Sequence, residues 1–311
     1  MEICRILLIF VSYRVILLLF LSCSLPALLK AEEPENRLIE AIEKNNLQEL
    51  QEQIPGSNLN EVSEEDGLTP LIAAVMFGHS DMVQLLLKSG ADPNLGDQAN
   101  GATPLMWGAV TDPGEIAAEK GIPIPSIQSK IQIVRTLLKS GAQANKKDQW
   151  GGTALQWGAD AGNIEIVKIL IDAGAEINSQ DIDGFTPLIA ATNFQTERHC
   201  EVVKFLLSKG AKVDQKSKNG ETALFFAIHN FKIDNVATLI KAGANKNIQD
   251  QSGTSPLMKA VQLQRLEITK YLLDAGSDPK GKNIEGKTVL TIATESGNQE
   301  IIQLLKEHGA E

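Results

Sequence analysis

Beyond residue 35 the chain alternates short apolar bursts with polar, glycine-rich breaks. Leu71, Ala73 and Ala74 form one burst. After Gly78 the set Val83, Leu86 and Leu87 returns at i, i+3, i+4 spacing, the period of an amphipathic helix. Gly90-Ala91 ends that stretch, and an Asp-, Asn- and Gly-rich run up to Gly101 follows, the composition of a projecting turn. The pattern predicts two short helices joined by a glycine turn, then a hairpin.

The same pattern recurs. Variants of Gly-x-Thr-Pro-Leu place their Thr or Ser at Thr69, Thr103, Thr153, Thr186, Thr222, Ser255 and Thr288, spaced 34, 50, 33, 36, 33 and 33 residues apart. Variants of Leu-Leu-x-x-Gly-Ala place their Gly at Gly90, Gly141, Gly174, Gly210, Gly243, Gly276 and Gly309. Seven units thus share one register, at about 66–97, 98–147, 148–180, 181–216, 217–249, 250–282 and 283–311. A fixed period of this length predicts an all-α repeat solenoid, because so small a helix pair buries its apolar face only against its neighbours. Each slot has a physical task. The Thr69 hydroxyl accepts from free amides at a helix start, where Pro70 fits the first helical position. Gly78 and Gly90 end helices in the left-handed conformation. Residues 35–65 keep helical spacing at Leu38, Ile39, Ala41, Ile42, Leu47 and Leu50 without the Thr-Pro-Leu signature, as a capping repeat does. The final helix, before Gly309-Ala310, is expected to cap the other end.

Helix, turn, helix and hairpin at a period of 33 resembles the ankyrin repeat over residues 66–311. The resemblance implies an ankyrin-like stack of helix-turn-helix units with short β-hairpin loops. It also implies a concave face, made of hairpin tips and first helices, that binds another protein. Residues large for those slots are the candidate contacts: Trp150, Phe185 and Leu68 at hairpins, and Met76 and Phe77 near the end of a first helix. An aromatic ring in water is a typical interface anchor; the competing reading folds each ring back onto the next hairpin. The histidine usual after Thr-Pro-Leu is replaced by Ile72, Met106, Gln156, Ile189, Phe225, Met258 and Thr291. The hydrogen-bond ladder it makes is therefore expected to be weakened or replaced by apolar packing. His79 holds the family's Gly-His slot, where it is expected to cap the turn. Trp107 and Trp157 share one slot, Leu-x-Trp-Gly-Ala, and predict inter-repeat packing with the adjacent glycine making room for each ring. The spacing of 50 reflects an insertion near 112–129 containing Pro113, Pro123 and Pro125, read either as a binding loop or as a tolerated insertion.

The first 31 residues differ in kind. Arg5 and Arg14 precede the apolar run Val15 to Leu21, and small residues follow at Ser22, Ser24, Ala27 and Ala31. That order describes a secretory signal peptide, with cleavage after Ser24, Ala27 or Ala31. An uncleaved membrane anchor is the alternative. Phe20-Leu21-Ser22-Cys23 also resembles a degenerate lipobox, which would make Cys23 a lipidation site on an envelope-anchored protein. The expected location is exported, periplasmic or extracellular, with membrane contact only through this leader.

Charge and chemistry narrow the function. The formal net charge is −10. Cleavage after Ala31 would remove three of 29 basic and one of 39 acidic residues, leaving −12. Such a surface repels nucleic acid and anionic lipid, which argues against nucleic-acid partners. Of the three cysteines only Cys200 lies beyond the leader, so no internal disulfide is expected. His79, His199, His229 and His308 form no metal-binding pair at helical spacing, no phosphate loop or nucleophile elbow appears, and no cofactor is implied. His199-Cys200 is the sole nucleophile–base candidate, and sequence neighbours rarely face one another. The expected function is protein binding without catalysis; a thiol-dependent enzyme or redox sensor is the minor alternative.

Overall fold

The computed structural model describes residues 36–64, 66–110, 124–192 and 197–311. Cys23, the leader and most of the 112–129 insertion lie outside the described residues. Internal contacts divide the chain into two compact units, the first ending at Gln143 and the second beginning at Ala144.

The first unit contains α1 (Asn36–Glu43), α2 (Leu47–Gln53), α3 (Pro70–Phe77), α4 (Ser80–Lys88), α5 (Pro104–Ala109) and α6 (Ile127–Lys139). The second contains α7 (Ala154–Asp160), α8 (Ile164–Asp172), α9 (Pro187–Thr192), α10 (Glu197–Ser208), α11 (Ala223–His229), α12 (Ile233–Lys241), α13 (Pro256–Gln262), α14 (Leu266–Asp274), α15 (Val289–Ser296) and α16 (Gln299–Glu307). Within each unit, first helices pack on first helices and second on second: α1, α3 and α5 beside α2, α4 and α6; then α7, α9, α11, α13 and α15 beside α8, α10, α12, α14 and α16. The fold is an all-α repeat. Its hairpins are tight turns rather than strands, and the described residues hold one isolated bridge, Lys282 to Thr288.

Local chemistry sets the helix ends. The Ile72 amide donates to the Thr69 hydroxyl (3.2 Å), and the Ile189, Met258 and Thr291 amides do the same to Thr186, Ser255 and Thr288. Each such cap is worth about 1 kcal/mol. Thr222 departs from the pattern: its buried hydroxyl has no partner. At the other end, the Gly90 amide donates to the Leu87 carbonyl and the Ala91 amide to that of Leu86, a Schellman closure. It recurs through Gly309 and Ala310. Val83 and Leu86, with Val134 and Leu137, Val167 and Leu170, and Val203 and Leu206, are fully buried beneath these caps. Each large aliphatic side chain so placed contributes about 1.5–3 kcal/mol.

Three expectations need correction. Leu47 is exposed, because it opens α2 outside the apolar face of the capping repeat. The insertion ends earlier than 129: Ser126 caps α6, so Ile127 to Ser129 are already helical. His79 makes no capping bond; its ring is half-buried beside the Ile42 backbone. Gly108 also makes room for the second helix, since a Cβ there would meet Val134 Cγ2 at 3.1 Å.

Inter-repeat hydrogen bonds are present despite the missing histidines. Ile72, Met106, Ile189, Phe225 and Met258 are buried as apolar packing. Gln156 keeps a polar role, its Nε2 donating to the Phe185 carbonyl (2.7 Å) one repeat on. The ladder itself runs through an Asn or Asp four residues after the Gly of Gly-Ala. Asn94 accepts from the Gln143 amide, Asn145 from Glu176, Asn178 from Lys212, Asp214 from Asn245 and Asn247 from Asp278, at 2.8–2.9 Å.

Candidate functional site

The hairpin tips of the second unit present the apolar groups that repeat packing leaves over. In the 148–180 repeat, the Asp148 amide donates to the Gly152 carbonyl and closes the turn. The Asp148 carboxylate accepts from the Trp150 amide (2.9 Å) and the Gly152 amide (2.8 Å), and from the Trp157 indole N–H (3.1 Å). The Trp150 carbonyl accepts from the Ile182 amide (2.8 Å) of the next tip. The Trp150 backbone is therefore held from both sides while the side chain stays 37% exposed. Ile182 beside it is 43% exposed. The same tip-to-tip bond joins Lys218 to Asp183, Gln251 to Asn219 and Ile284 to Ser252.

Acidic groups surround this apolar pair. Asp181 accepts from the Asp183 and Phe185 amides. Burial, reinforced by Asp183 and Asp148, raises its carboxyl above the usual range.

Phe185 is placed differently. It is half-buried and meets Phe226 edge-on, with ring centroids 5.2 Å apart, so most of its apolar surface is used within the stack. In the first unit, Leu68 and Met76 are half-buried, and Phe77 stacks parallel to the His79 ring at 5.8 Å. Gly78, which follows Phe77, is covered from the insertion side: the Ser129 hydroxyl donates to its carbonyl, and a Cβ there would strike Pro125. Trp107 is buried, its indole N–H donating to Asp97 (2.8 Å), the counterpart of the Trp157–Asp148 bond. Each of these indoles thus braces the hairpin turn that precedes its own helix.

Sequence reasoning missed Ile182 and Ile284, the latter 76% exposed. The signal was available, since both lie two residues before the tip glycine. It also missed Lys130, which is buried with Nζ donating to the carbonyls of Val75 (3.0 Å) and Trp107 (3.2 Å). Lys130 and His199 sit three residues before the buried pairs Ile133-Val134 and Val202-Val203, as His79 sits before Met82-Val83. His199 Nε2 donates to the Asp160 carbonyl (2.8 Å), so its ring bridges to the preceding repeat. Burial lowers the His199 pKa, and Arg198 and Lys232 lower it further. No group of three His, Cys, Asp or Glu side chains among the described residues could hold a metal ion.

The profile described as ankyrin repeats in three copies matches residues 38–119, 126–217, 179–250, 195–283 and 224–311. The chain belongs to the ankyrin-repeat family. Ankyrin repeats generally mediate protein–protein interaction. Among curated relatives, the human 2-5A-dependent ribonuclease is 41% identical over 81 residues, 26% of this chain and 11% of that protein. An ankyrin repeat-containing protein of Schizosaccharomyces pombe is 49% identical over 44 residues, 14% of this chain and 21% of that protein. An ankyrin repeat domain-containing protein of Stachybotrys chartarum is 30% identical over 99 residues, 28% of this chain and 5% of that protein. The chain thus spans under a quarter of the length of each of these relatives.

Proposed function

We propose that this ankyrin-repeat chain is a non-catalytic scaffold that binds another protein through the hairpin tips and first helices of its repeats, with Trp150 and Ile182 as apolar anchors. The observation that carries this reading is the rigid presentation of Trp150. Its backbone is fixed by Asp148 and by the Ile182 amide, while the side chain keeps more than a third of its surface in water. A pre-ordered aromatic loses little entropy on docking, the property that makes a hot spot. Phe185, Leu68, Met76 and Phe77 have part of their surface in intramolecular contacts and serve as secondary contacts.

The leader supports an exported location, because a basic start, a short apolar run and a small-residue exit direct secretion. No described helix is long and apolar enough to cross a membrane.

A photo-crosslinking amino acid at position 150, expressed in the native cell, tests the binding reading. A discrete adduct at 150, absent from a control at Glu300 on α16, is expected. Adducts at Glu300 alone would overturn it. Mass spectrometry of the mature N-terminus tests export: a start at Leu25, Leu28 or Glu32 is expected, and an intact Met1 or an acylated Cys23 would replace it by the anchored alternatives.

A further inference from the structure

The turn between first and second helices carries a different surface. Its left-handed residue is Gly78, Gly162 or Gly297 in three repeats, but Phe231 and Gln264 in two others. Phe231 holds φ at +60° and is 51% exposed. A left-handed backbone costs a non-glycine residue strain, and a bulky one suits the position least. An exposed ring gains nothing from burial either. Folding alone would favour glycine here on both counts.

The Arg265 guanidinium lies over the Phe231 ring. Arg265 is partly buried, its Nε has no hydrogen-bond partner, and burial lowers its pKa. It makes no ion pair with a described residue, and neither do Lys232 and Arg198. Lys232 and Arg265 also occupy the N-cap positions of α12 and α14, where neither side chain caps. The corresponding Asn46, Asn163 and Asn298 accept the expected amide bonds. A cation at a helix N-terminus opposes the helix dipole. Asp234 and Glu267, two residues further on, ease that opposition without pairing with either cation. Lys259 is neutralised by Glu221 at 3.2 Å. Cations dominate the surroundings of the two nearby histidines: Arg198 and Lys232 act on His199, and Lys259 and Arg265, opposed by Glu221, act on His229.

We infer that Phe231, Arg265, Lys232 and Arg198 form a second docking surface, separate from the hairpin tips, for a carboxylate-rich peptide segment carrying an apolar side chain. The apolar side chain lies against the Phe231 ring. The carboxylates pair with the Arg265 guanidinium and with the Lys232 and Arg198 side chains, and supply the acceptor that neither N-cap side chain gives its helix. Complementary charge selects the occupant: a basic segment would meet three cations that make no ion pair with a described residue.

Fluorescence anisotropy on the full chain tests this, with a fluorescein-labelled peptide of glutamates around a central Leu-Phe pair and its lysine counterpart. The glutamate peptide should bind at least about tenfold more tightly at low salt and weaken as salt is raised. Phe231→Gly and Arg265→Gln should each weaken it about fivefold or more, as loss of a docked aromatic or charged contact does. Phe231→Gly should leave the melting temperature no lower, since glycine suits the left-handed backbone. Trp150→Ala, at the hairpin tips, should leave this binding unchanged. Equal affinity for the lysine peptide, no binding of the glutamate peptide, or insensitivity to both substitutions would overturn the inference. So would tighter binding to a single-stranded RNA or to phosphatidylglycerol vesicles than to the glutamate peptide.

Discussion

Lys130 Nζ donates to the Val75 carbonyl at 3.0 Å, although 55 residues separate the two in the chain. Its second acceptor, the Trp107 carbonyl, lies in the next first helix, so one ammonium ties α3 to α5. Burial lowers the Lys130 pKa from 10.5 to about 8. Between those values the folded state binds fewer protons than the unfolded state, so this group's contribution to stability rises with pH across that window and is constant below it. Urea unfolding of the parent and Lys130→Met at pH 7 and pH 10.5 should show the parent gaining about 3 kcal/mol relative to the variant. A pH-independent difference would show that Lys130 is not buried as a charge.

Gly162 has φ of +66°, and a Cβ there would lie 2.8 Å from the His199 ring. Gly162→Ala is expected to destabilise by about 2 kcal/mol, combining backbone strain with the clash. The penalty should fall to about 1 kcal/mol when measured in a His199→Ala background, where the strain remains and the clash is gone. Thermal denaturation of the four proteins of this cycle checks both values.

The two classes of tryptophan should separate. Trp107→Ala removes a buried ring and takes the indole donor from Asp97 Oδ2, at a cost of about 3–5 kcal/mol. Trp150→Ala should stay within about 0.5 kcal/mol of the parent while weakening capture of the partner crosslinked at 150. Chemical denaturation beside a binding titration distinguishes them.

Gln156→Ala should cost about 1–2 kcal/mol, because the buried Thr153 amide loses its side-chain acceptor and the Phe185 carbonyl one of its two donors. Gln156→His, which restores a ring donor in the slot, should lose less than Gln156→Ala. Unfolding curves of the two variants measured side by side give the comparison.

Periodicity alone located nearly every helix, because each repeat carries its own start, stop and apolar spacing within 33 residues. Thr69, Gly78 and Gly90 act on neighbours three to five positions away, so their tasks are readable from local order. The ladder through Asn145 and Asn178 was equally periodic. It was overlooked because the partner amide lies about one repeat away, where only the stack shows it.

The sequence by itself determined the repeat, its register, the caps and the family, all consequences of short-range backbone chemistry. Only the tertiary structure decided the fate of individual large side chains. Trp150 and Phe185 occupy comparable hairpins, yet Phe185 finds Phe226 within reach and Trp150 finds water. Lys130 reads as a surface lysine of an amphipathic helix, yet it is buried because the helix begins a turn earlier there and turns that position toward the carbonyl ends of α3 and α5. Phe231 reads as one more apolar residue, yet it stands in solvent beneath Arg265 because the turn requires a left-handed backbone at its position. Burial depends on what the neighbouring repeat places opposite a residue, and that is a property of the stack rather than of the local string.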